Sequence, residues 1–317
     1  MTLGPLFLSS GDPALDRRLQ WARALLDEGN AADAASLLDE AVERAPGLLA
    51  AWFLLGEARE AAGERNAAAQ AYRRAQALDP ADALGAALRL ARLGAGPLRP
   101  MSEAYVRTLF DQYAGRFDGA LARLGYNGPE LLHAALQSAC AALGRDCRFR
   151  HGLDLGCGTG LAGVQLAGTV DAFIGVDIAP AMVARAQARG LYRSVEAGGL
   201  LGFLERQPAA GADLVIAADV FCYLDDLAPV LNEAGRVLAP GGLAAFTTET
   251  HDGEGVRLRD TLRFAHGAAY VRTALAAGGL APVVFEPGSI RRDRHEPVPG
   301  LVVVALRPPR ESRDTEA

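Results

Sequence analysis

Leu153-Asp154-Leu155-Gly156-Cys157-Gly158-Thr159-Gly160 decides how this chain is read. The first residues form an apolar run, the pattern of a buried strand, ending on an acid and a glycine-spaced turn. A helical pattern over Leu161 to Ala167 follows at once. Glycines at alternate positions let a ligand lie against bare backbone, because no Cβ stands in the way. The helix start beyond them offers free N–H groups to a carboxylate. Asp154, at the strand tip, offers an acceptor to an ammonium. The segment therefore predicts a site for the amino-acid end of a small molecule.

Two ligands compete for these glycines. Gly158-Thr159-Gly160-Leu161-Ala162-Gly163 also fits the dinucleotide pattern G-x-G-x-x-G, with Asp177 at a workable distance for a ribose. Asp154, two residues before Gly156, decides between them. A pyrophosphate gains nothing from a carboxylate there, since like charges repel. An aminoacyl-sulfonium does gain, and S-adenosyl-L-methionine (SAM) is such a ligand. The backbone of Gly156, Cys157, Gly158 and Gly160 is expected to line it, with the Cys157 side chain filling space.

Working outward, the chain agrees with that reading. Ala172 to Val176 is a second apolar run, ending in Asp177, whose carboxylate can accept both ribose hydroxyls. Ile178 and Met182 are placed to sandwich an adenine, though Met182 would serve equally as helix core. Further strands fit Ser194–Ala197, Ala212–Ala217 and Leu243–Thr248, and a helix fits Leu227–Leu238, closed by Pro240-Gly241-Gly242. Alternating strands and helices predict an α/β fold, a parallel sheet covered on both faces.

With these motifs in view, residues 150–307 resemble a class I SAM-dependent methyltransferase. The resemblance rests on the Asp154–Gly160 loop, Asp177 with Met182 after it, Asp213-Leu214-Val215, and Val237-Leu238-Ala239-Pro240-Gly241-Gly242. It implies a Rossmann-like sheet with a C-terminal antiparallel hairpin, and SAM as cofactor. It also implies an acid after strand three to meet the adenine amino group. Gly199 stands there instead, so the backbone N–H of Gly199 or Leu200 is expected to take that contact. The methyl acceptor is not implied.

The first hundred residues are of another kind. A shift of about 34 residues, the period of the tetratricopeptide repeat, superposes Gly29 on Gly63, Ala34 on Ala68, Ala41 on Ala75 and Pro46 on Pro80. Trp52, Leu55, Gly56, Ala68, Tyr72, Ala75 and Pro80 fall at that repeat's spacing. An all-α module over 15–93 is expected, with a closing helix in 82–93. Tyr72 would fill the space between units, and Pro80 would stop a helix. So few units bury little apolar surface alone, so the module is expected to lean on the rest of the chain. It would bind a peptide or protein partner in a groove, or serve as a scaffold or dimer surface. Linker and lid helices are expected over 94–148. There Tyr105, Leu109, Tyr113 and Phe117 recur at helical spacing, as core or as a lid over the cofactor, with Tyr113 touching it. Taken together, the chain is similar to bacterial predicted methyltransferases with N-terminal tetratricopeptide repeats. A partner-binding adaptor whose SAM domain has lost turnover is the alternative.

Composition excludes other classes. The chain has 317 residues and a formal net charge of −6, and every one of its 32 basic residues is arginine. Neither half is basic, which argues against nucleic acid as partner. No apolar run is long enough for a membrane span, and residues 1–10 lack the basic flank of a signal peptide, so a cytoplasmic protein is expected. Cys140, Cys147, Cys157 and Cys222 show no metal or redox spacing. Methyl transfer needs a side-chain base only if the acceptor must lose a proton. Candidates beyond strands four and five are Asp219, Tyr223, Glu249, His251 and Asp252. His251 is the expected base, and Asp219 the expected contact to the methionine end. His266 is expected in a helix as a packing residue. Arg291-Arg292-Asp293-Arg294-His295, between strands at Pro282–Phe285 and Leu301–Ala305, is either a solvated loop or an anion clamp. The tail, 308–317, is expected to be disordered.

Overall fold

The computed structural model describes residues 11–293 and 296–309. Residues 1–10 and 310–317, and with them the leader and most of the tail reading, lie outside the described residues, as do Arg294 and His295 of the proposed clamp. The chain divides into two compact units at Leu109/Phe110.

The first unit is helical. It contains α1 (Pro13–Asp27), α2 (Ala31–Arg44), α3 (Leu49–Ala61), α4 (Arg65–Leu78) and α5 (Ala86–Arg92), then the first part of α6 (Glu103–Tyr113). Asp12 caps α1 by accepting the Ala14 N–H at 2.8 Å, and α1 and α4 close on left-handed Gly29 and on Asp79 respectively. Its interior is built of small side chains: Ala22, Ala34, Ala41, Ala51, Ala58, Ala68 and Ala75 are all fully buried. Small residues bring helix axes close, and Gly56 shows how close. A Cβ there would lie 2.5 Å from the Tyr72 ring. Tyr72 thus fills space against Gly56 within the second helix pair. It also reaches the cluster formed with Leu84, Ala86 and Leu90, and its hydroxyl donates to Glu60 at 2.9 Å. The closing helix is shorter than expected, because Asp82 and left-handed Gly85 hold its start: Asp82 accepts the N–H groups of Ala86 and Ala87. Arg23 of α1, Glu57 and Glu60 of α3, and Arg89 and Arg92 of α5 form one chain of ion pairs.

The aromatic stripe of 105–117 does not act as one surface. The Tyr105 ring covers Gly85 in the helical unit, whereas Phe110, Phe117 and Ala114 pack with Met182 in the second.

The second unit is an α/β sheet. After a 3-10 turn come α7 (Phe117–Arg123) and α8 (Gly128–Ala142). Then follow β1 (Phe149–Leu155), α9 (Leu161–Gln165), β2 (Val170–Asp177), α10 (Pro180–Ala188), β3 (Tyr192–Ala197), α11 (Leu200–Arg206), β4 (Ala212–Ala217) and α12 (Ala228–Val237). The remainder is β5 (Leu238–His251), β6 (Val256–Leu258), β7 (Phe264–Gly267), α13 (Ala268–Ala277), β8 (Ala281–Gly288), β9 (Arg292–Asp293), β10 (Glu296–Pro297) and β11 (Gly300–Leu306). The strand order is β3-β2-β1-β4-β5-β11-β8. Strands β1 to β5 run parallel, and β11 is antiparallel to both β5 and β8. This is the mostly parallel, Rossmann-like sheet with a C-terminal antiparallel hairpin. The core divides between its faces, one built on Leu153, Val215, Leu231 and Val303, the other on Leu136, Phe149, Leu214 and Val304.

Two local expectations fail. His266 lies in β7, not a helix: Glu249–His251 pair in parallel with Ala265–Gly267, so the ladder of β5 claims that backbone. Pro240-Gly241-Gly242 lies inside β5, which already pairs at Leu238 with Ala212, and the register shift takes up the extra residues. Among the described residues, no helix is long and apolar enough to cross a membrane.

Candidate active site

The site is assembled at the carboxyl ends of β1, β2, β4 and β5, where ligands bind in open α/β sheets. The loop after β1 has the backbone its glycines predict. Gly156, Gly158 and Gly160 all have left-handed φ, at +66°, +54° and +88°. Gly156 is also fixed by space: a Cβ would lie 2.6 Å from Val220. Gly158 is open apart from Phe117, whose ring edge would be 3.7 Å from a Cβ there. Cys157 packs with Val183, Ala186 and Val195, a space-filler as expected.

Asp154 is 1% exposed, and burial pushes its carboxyl up to about 7. The Tyr192 hydroxyl donates to its Oδ2 at 2.6 Å. Among the described residues it has no cationic partner. Asp177 is likewise buried, and burial raises it to about 6 against the pull of two backbone donors. Gly158 N–H donates to its Oδ2 and Ala179 N–H to its Oδ1, both at 2.9 Å. Asp177 therefore ties the glycine loop to the end of β2. A carboxylate has about four acceptor positions, so two remain.

Ile178 is half-buried beside it. Met182 is fully buried against Ala114, Phe110 and Phe117. Contact between Met182 and any ligand thus requires the Phe110–Phe117 segment to move. Gly199 is the residue before α11, extended at φ −73° and ψ 149°, with Leu200 half-buried after it. Tyr113 is 9% exposed, edge-on to Phe117 at 6.0 Å.

Several contacts in this layer carry no local sequence signal. Thr159 donates to Asp118 at 2.5 Å, Arg189 donates to Asp118 at 2.7 Å, and Arg189 Nε donates to the Thr159 carbonyl at 2.5 Å. Asp111 accepts the Ala181 N–H at the start of α10, at 2.9 Å. The segment from Phe110 to Asp118 is thereby pinned over the glycine loop. Tyr192, on β3, stands against Gly160, Gly163 and Gly175, each of which would bring a Cβ within 3.2 Å of its ring or hydroxyl. Its role is recognisable only once β3 is seen beside β2.

Beyond β4 and β5 lies a buried ionic cluster. Asp219, in left-handed backbone at φ +57°, accepts from Arg291 at 2.6 Å. Arg291 also donates to Glu249, which Arg259 meets at 3.4 Å and Arg263 at 3.6 Å. Arg263 donates to the Tyr223 hydroxyl at 2.7 Å, and burial holds that phenol protonated. Arg291 therefore faces inward rather than forming a solvated loop with Arg292. Its range is 72 residues from Asp219, so no spacing rule could have found it.

His251 does not fit the expected base. Its Nδ1 accepts the Gly253 N–H at 3.0 Å and its Nε2 lies 3.2 Å from the Gly255 carbonyl, so both nitrogens are committed to the β5–β6 turn. His266 is buried and pushed down to about 4 by desolvation. It bonds Thr248 at 2.8 Å and the Leu224 carbonyl at 2.9 Å, a packing role in a strand. Among the described residues, no group of His, Cys, Asp and Glu could hold a metal ion.

Comparison with known proteins agrees with the sheet and its glycine loop. Residues 153–246 match the family described as "Methyltransferase domain", and this segment is a class I methyltransferase domain for which SAM is the cofactor. Over 97 residues the chain is 33% identical to the biotin biosynthesis bifunctional protein BioHC of Saccharophagus degradans, covering 30% of this chain and 17% of that protein. It is 29% identical over 178 residues to a Mycolicibacterium smegmatis protein named "Probable S-adenosylmethionine-dependent methyltransferase", covering 47% and 66% of the two. The chain thus spans less than two thirds of the length of these curated relatives. The crystal structure of the [4+2]-cyclase SpnF superposes with a TM-score of 0.51 at 18% identity, covering 67% of this chain and 98% of that one. That likeness shows the fold. A cyclase on the same fold also shows that the fold does not name the reaction.

Proposed function

We propose that this chain transfers a methyl group from SAM to an acceptor by in-line displacement. One observation carries the reading: a buried Asp154, without a cationic partner among the described residues, stands beside three left-handed glycines, with a second buried acid, Asp177, one strand over. Each buried carboxylate costs stability that a bound ligand can return. Asp154 receives the ammonium of the cofactor, and the backbone of Gly156 to Gly160 lies along its amino-acid part. Asp177 uses its two remaining acceptor positions for the ribose hydroxyls. Ile178 and the N–H groups of Gly199 and Leu200 flank the adenine. When bound, SAM supplies an electrophilic methyl on sulfur. The chain's part is to orient and to exclude water, and Phe110, Tyr113 and Phe117 form the cover that does so. Asp219, held by Arg291, shapes the loop beyond β4 where the acceptor enters.

The helical unit is read as tetratricopeptide-type repeats that bind a protein partner. Four unpaired cysteines suit a reducing, cytoplasmic setting. Calorimetry with S-adenosylhomocysteine and with NAD tests the cofactor assignment. Binding of the first and not the second is expected. Binding of NAD alone would overturn it.

A further inference from the structure

We propose that Tyr192, at the start of β3, is a positioning residue for the cofactor: its hydroxyl fixes one oxygen of Asp154 and so presents the other to the ligand's ammonium. This rests on the methyltransferase reading and adds a residue to the same site. Three observations support it.

First, the ring reaches Asp154 along a path cleared of side chains. The strand order places β2 between β3 and β1, so Tyr192 must cross β2 to meet Asp154. It crosses at Gly175, the register partner of Asp154, where a Cβ would lie 3.2 Å from the ring. Beyond β2 the ring edge passes Gly160, where a Cβ would lie 3.1 Å away. The hydroxyl then meets Gly163, where a Cβ would be only 2.5 Å off. Three elements thus omit a side chain around one phenol. Phe173 packs on the ring with centroids 5.8 Å apart, and Cys157, Val183, Ala186 and Val195 form the apolar cluster it joins. A ring clamped this closely holds its hydroxyl in one place.

Second, the bond made from that place is a strong one. Its length, 2.6 Å, is that of a hydroxyl donating to an ionised carboxylate. Asp154 is buried, so water does not compete for it. Tyr192 stays a donor, because burial and then Asp154 itself keep the phenol protonated. With Oδ2 taken, Oδ1 is the oxygen left for the ammonium.

Third, the donation opposes what discharges Asp154. Burial raises the carboxyl most and Asp177 adds to it, whereas the Tyr192 hydroxyl favours the charged form. The Cys157 thiol and the Tyr126 phenol nearby are kept protonated by their own burial. Arg189 passes the ring at Gly160, but its guanidinium goes to Asp118 and the Thr159 carbonyl. Of the groups that shift Asp154, Tyr192 alone favours the carboxylate that an ammonium needs.

The test compares the full chain with Tyr192→Phe, which keeps the ring and removes only the hydroxyl. Calorimetry is run from pH 5.5 to 8.5 with S-adenosylhomocysteine and with 5′-methylthioadenosine, which has the ribose and adenine but no amino-acid end. At pH 6.5 the variant should bind S-adenosylhomocysteine roughly five- to tenfold more weakly, and the pH at which affinity levels off should rise by about one. Methylthioadenosine affinity should stay within twofold. Proton NMR of the wild type gives a second reading that does not depend on the variant folding. A hydrogen-bonded phenolic proton should move when S-adenosylhomocysteine binds, and again with Asp154→Asn. An unchanged pH profile in Tyr192→Phe, equal losses for both ligands, or a phenolic proton indifferent to ligand overturns the positioning role alone. Failure of the wild type to bind S-adenosylhomocysteine instead overturns the underlying methyltransferase reading.

Discussion

The helical unit and the sheet unit solve burial in opposite ways. The first packs alanines and a glycine against one tyrosine, and it leaves its charges in pairs that keep partial contact with water. The second packs Leu, Val and Phe, and at the strand ends it also buries Asp154, Asp177, Glu249, Arg263, Arg291 and His266. Alanine packing is cheap to satisfy and chemically silent. Buried ionisable groups cost free energy unless paired, and they collect where a ligand is handled. The contrast says that the sheet unit carries the chemistry, while the helical unit offers shape.

The sharpest way to break this contrast is Arg291→Met. It removes the nearest cationic partner of both Asp219 and Glu249 and should destabilise the chain by about 3–5 kcal/mol, measured by urea unfolding. A change under 1 kcal/mol, the level of an exposed pair, would mean the cluster is not a buried ionic unit.

Asp154 gives an effect of comparable size that depends on pH. Its folded value, about 7, lies above the ordinary 3.8. The folded state therefore holds this proton more tightly, and stability is lost as pH rises from 3.8 through 7. The full cost at alkaline pH is roughly 4 kcal/mol. His266 acts in the opposite sense: lowered from 6.5 to about 4, it costs stability as pH falls through that window. Asp154→Asn should therefore stabilise the free protein at pH 8 but not at pH 3, while removing cofactor affinity. In the wild type, S-adenosylhomocysteine should bind more tightly as pH rises towards 7, since Asp154 must ionise to take the ammonium. A flat calorimetric profile between pH 5.5 and 7.5 would remove Asp154 from the ammonium site.

Asp177→Ala should weaken S-adenosylhomocysteine binding by about 2–4 kcal/mol, through lost ribose contacts and a loosened glycine loop. Equal affinities would defeat the ribose assignment. In the helical unit, Gly56→Ala forces a methyl against the Tyr72 ring and should cost about 1–3 kcal/mol. Cofactor affinity should not change, and a parallel loss of it would mean the two units do not divide the work as argued. The smallest effect concerns the cover: amide exchange over 110–118 should slow when S-adenosylhomocysteine is added. Slowing confined to 154–182 would reduce the aromatic layer to core.

What the sequence determined by itself was local. The glycine loop was legible because left-handed backbone and close approach demand glycine at fixed offsets. Asp154 and Asp177 were legible because strand ends in a parallel sheet point to one edge, and β4 fell on Ala212–Ala217 as its apolar run predicts. Gly56 with Tyr72 was legible in the same way, as small and large residues at helical spacing. What only the tertiary structure decided was which distant groups meet. Arg291 reaches Asp219 and Glu249, Asp118 reaches Thr159 and Arg189, and Tyr192 reaches Asp154 across separations of 38 to 72 residues. It also moved His266 from a helix into a strand, since β5 offered its backbone a ladder, and tied His251 into a turn. Local pattern follows from the geometry of a few bonds. A buried charge takes whichever partner packing brings, and that follows only from the whole fold.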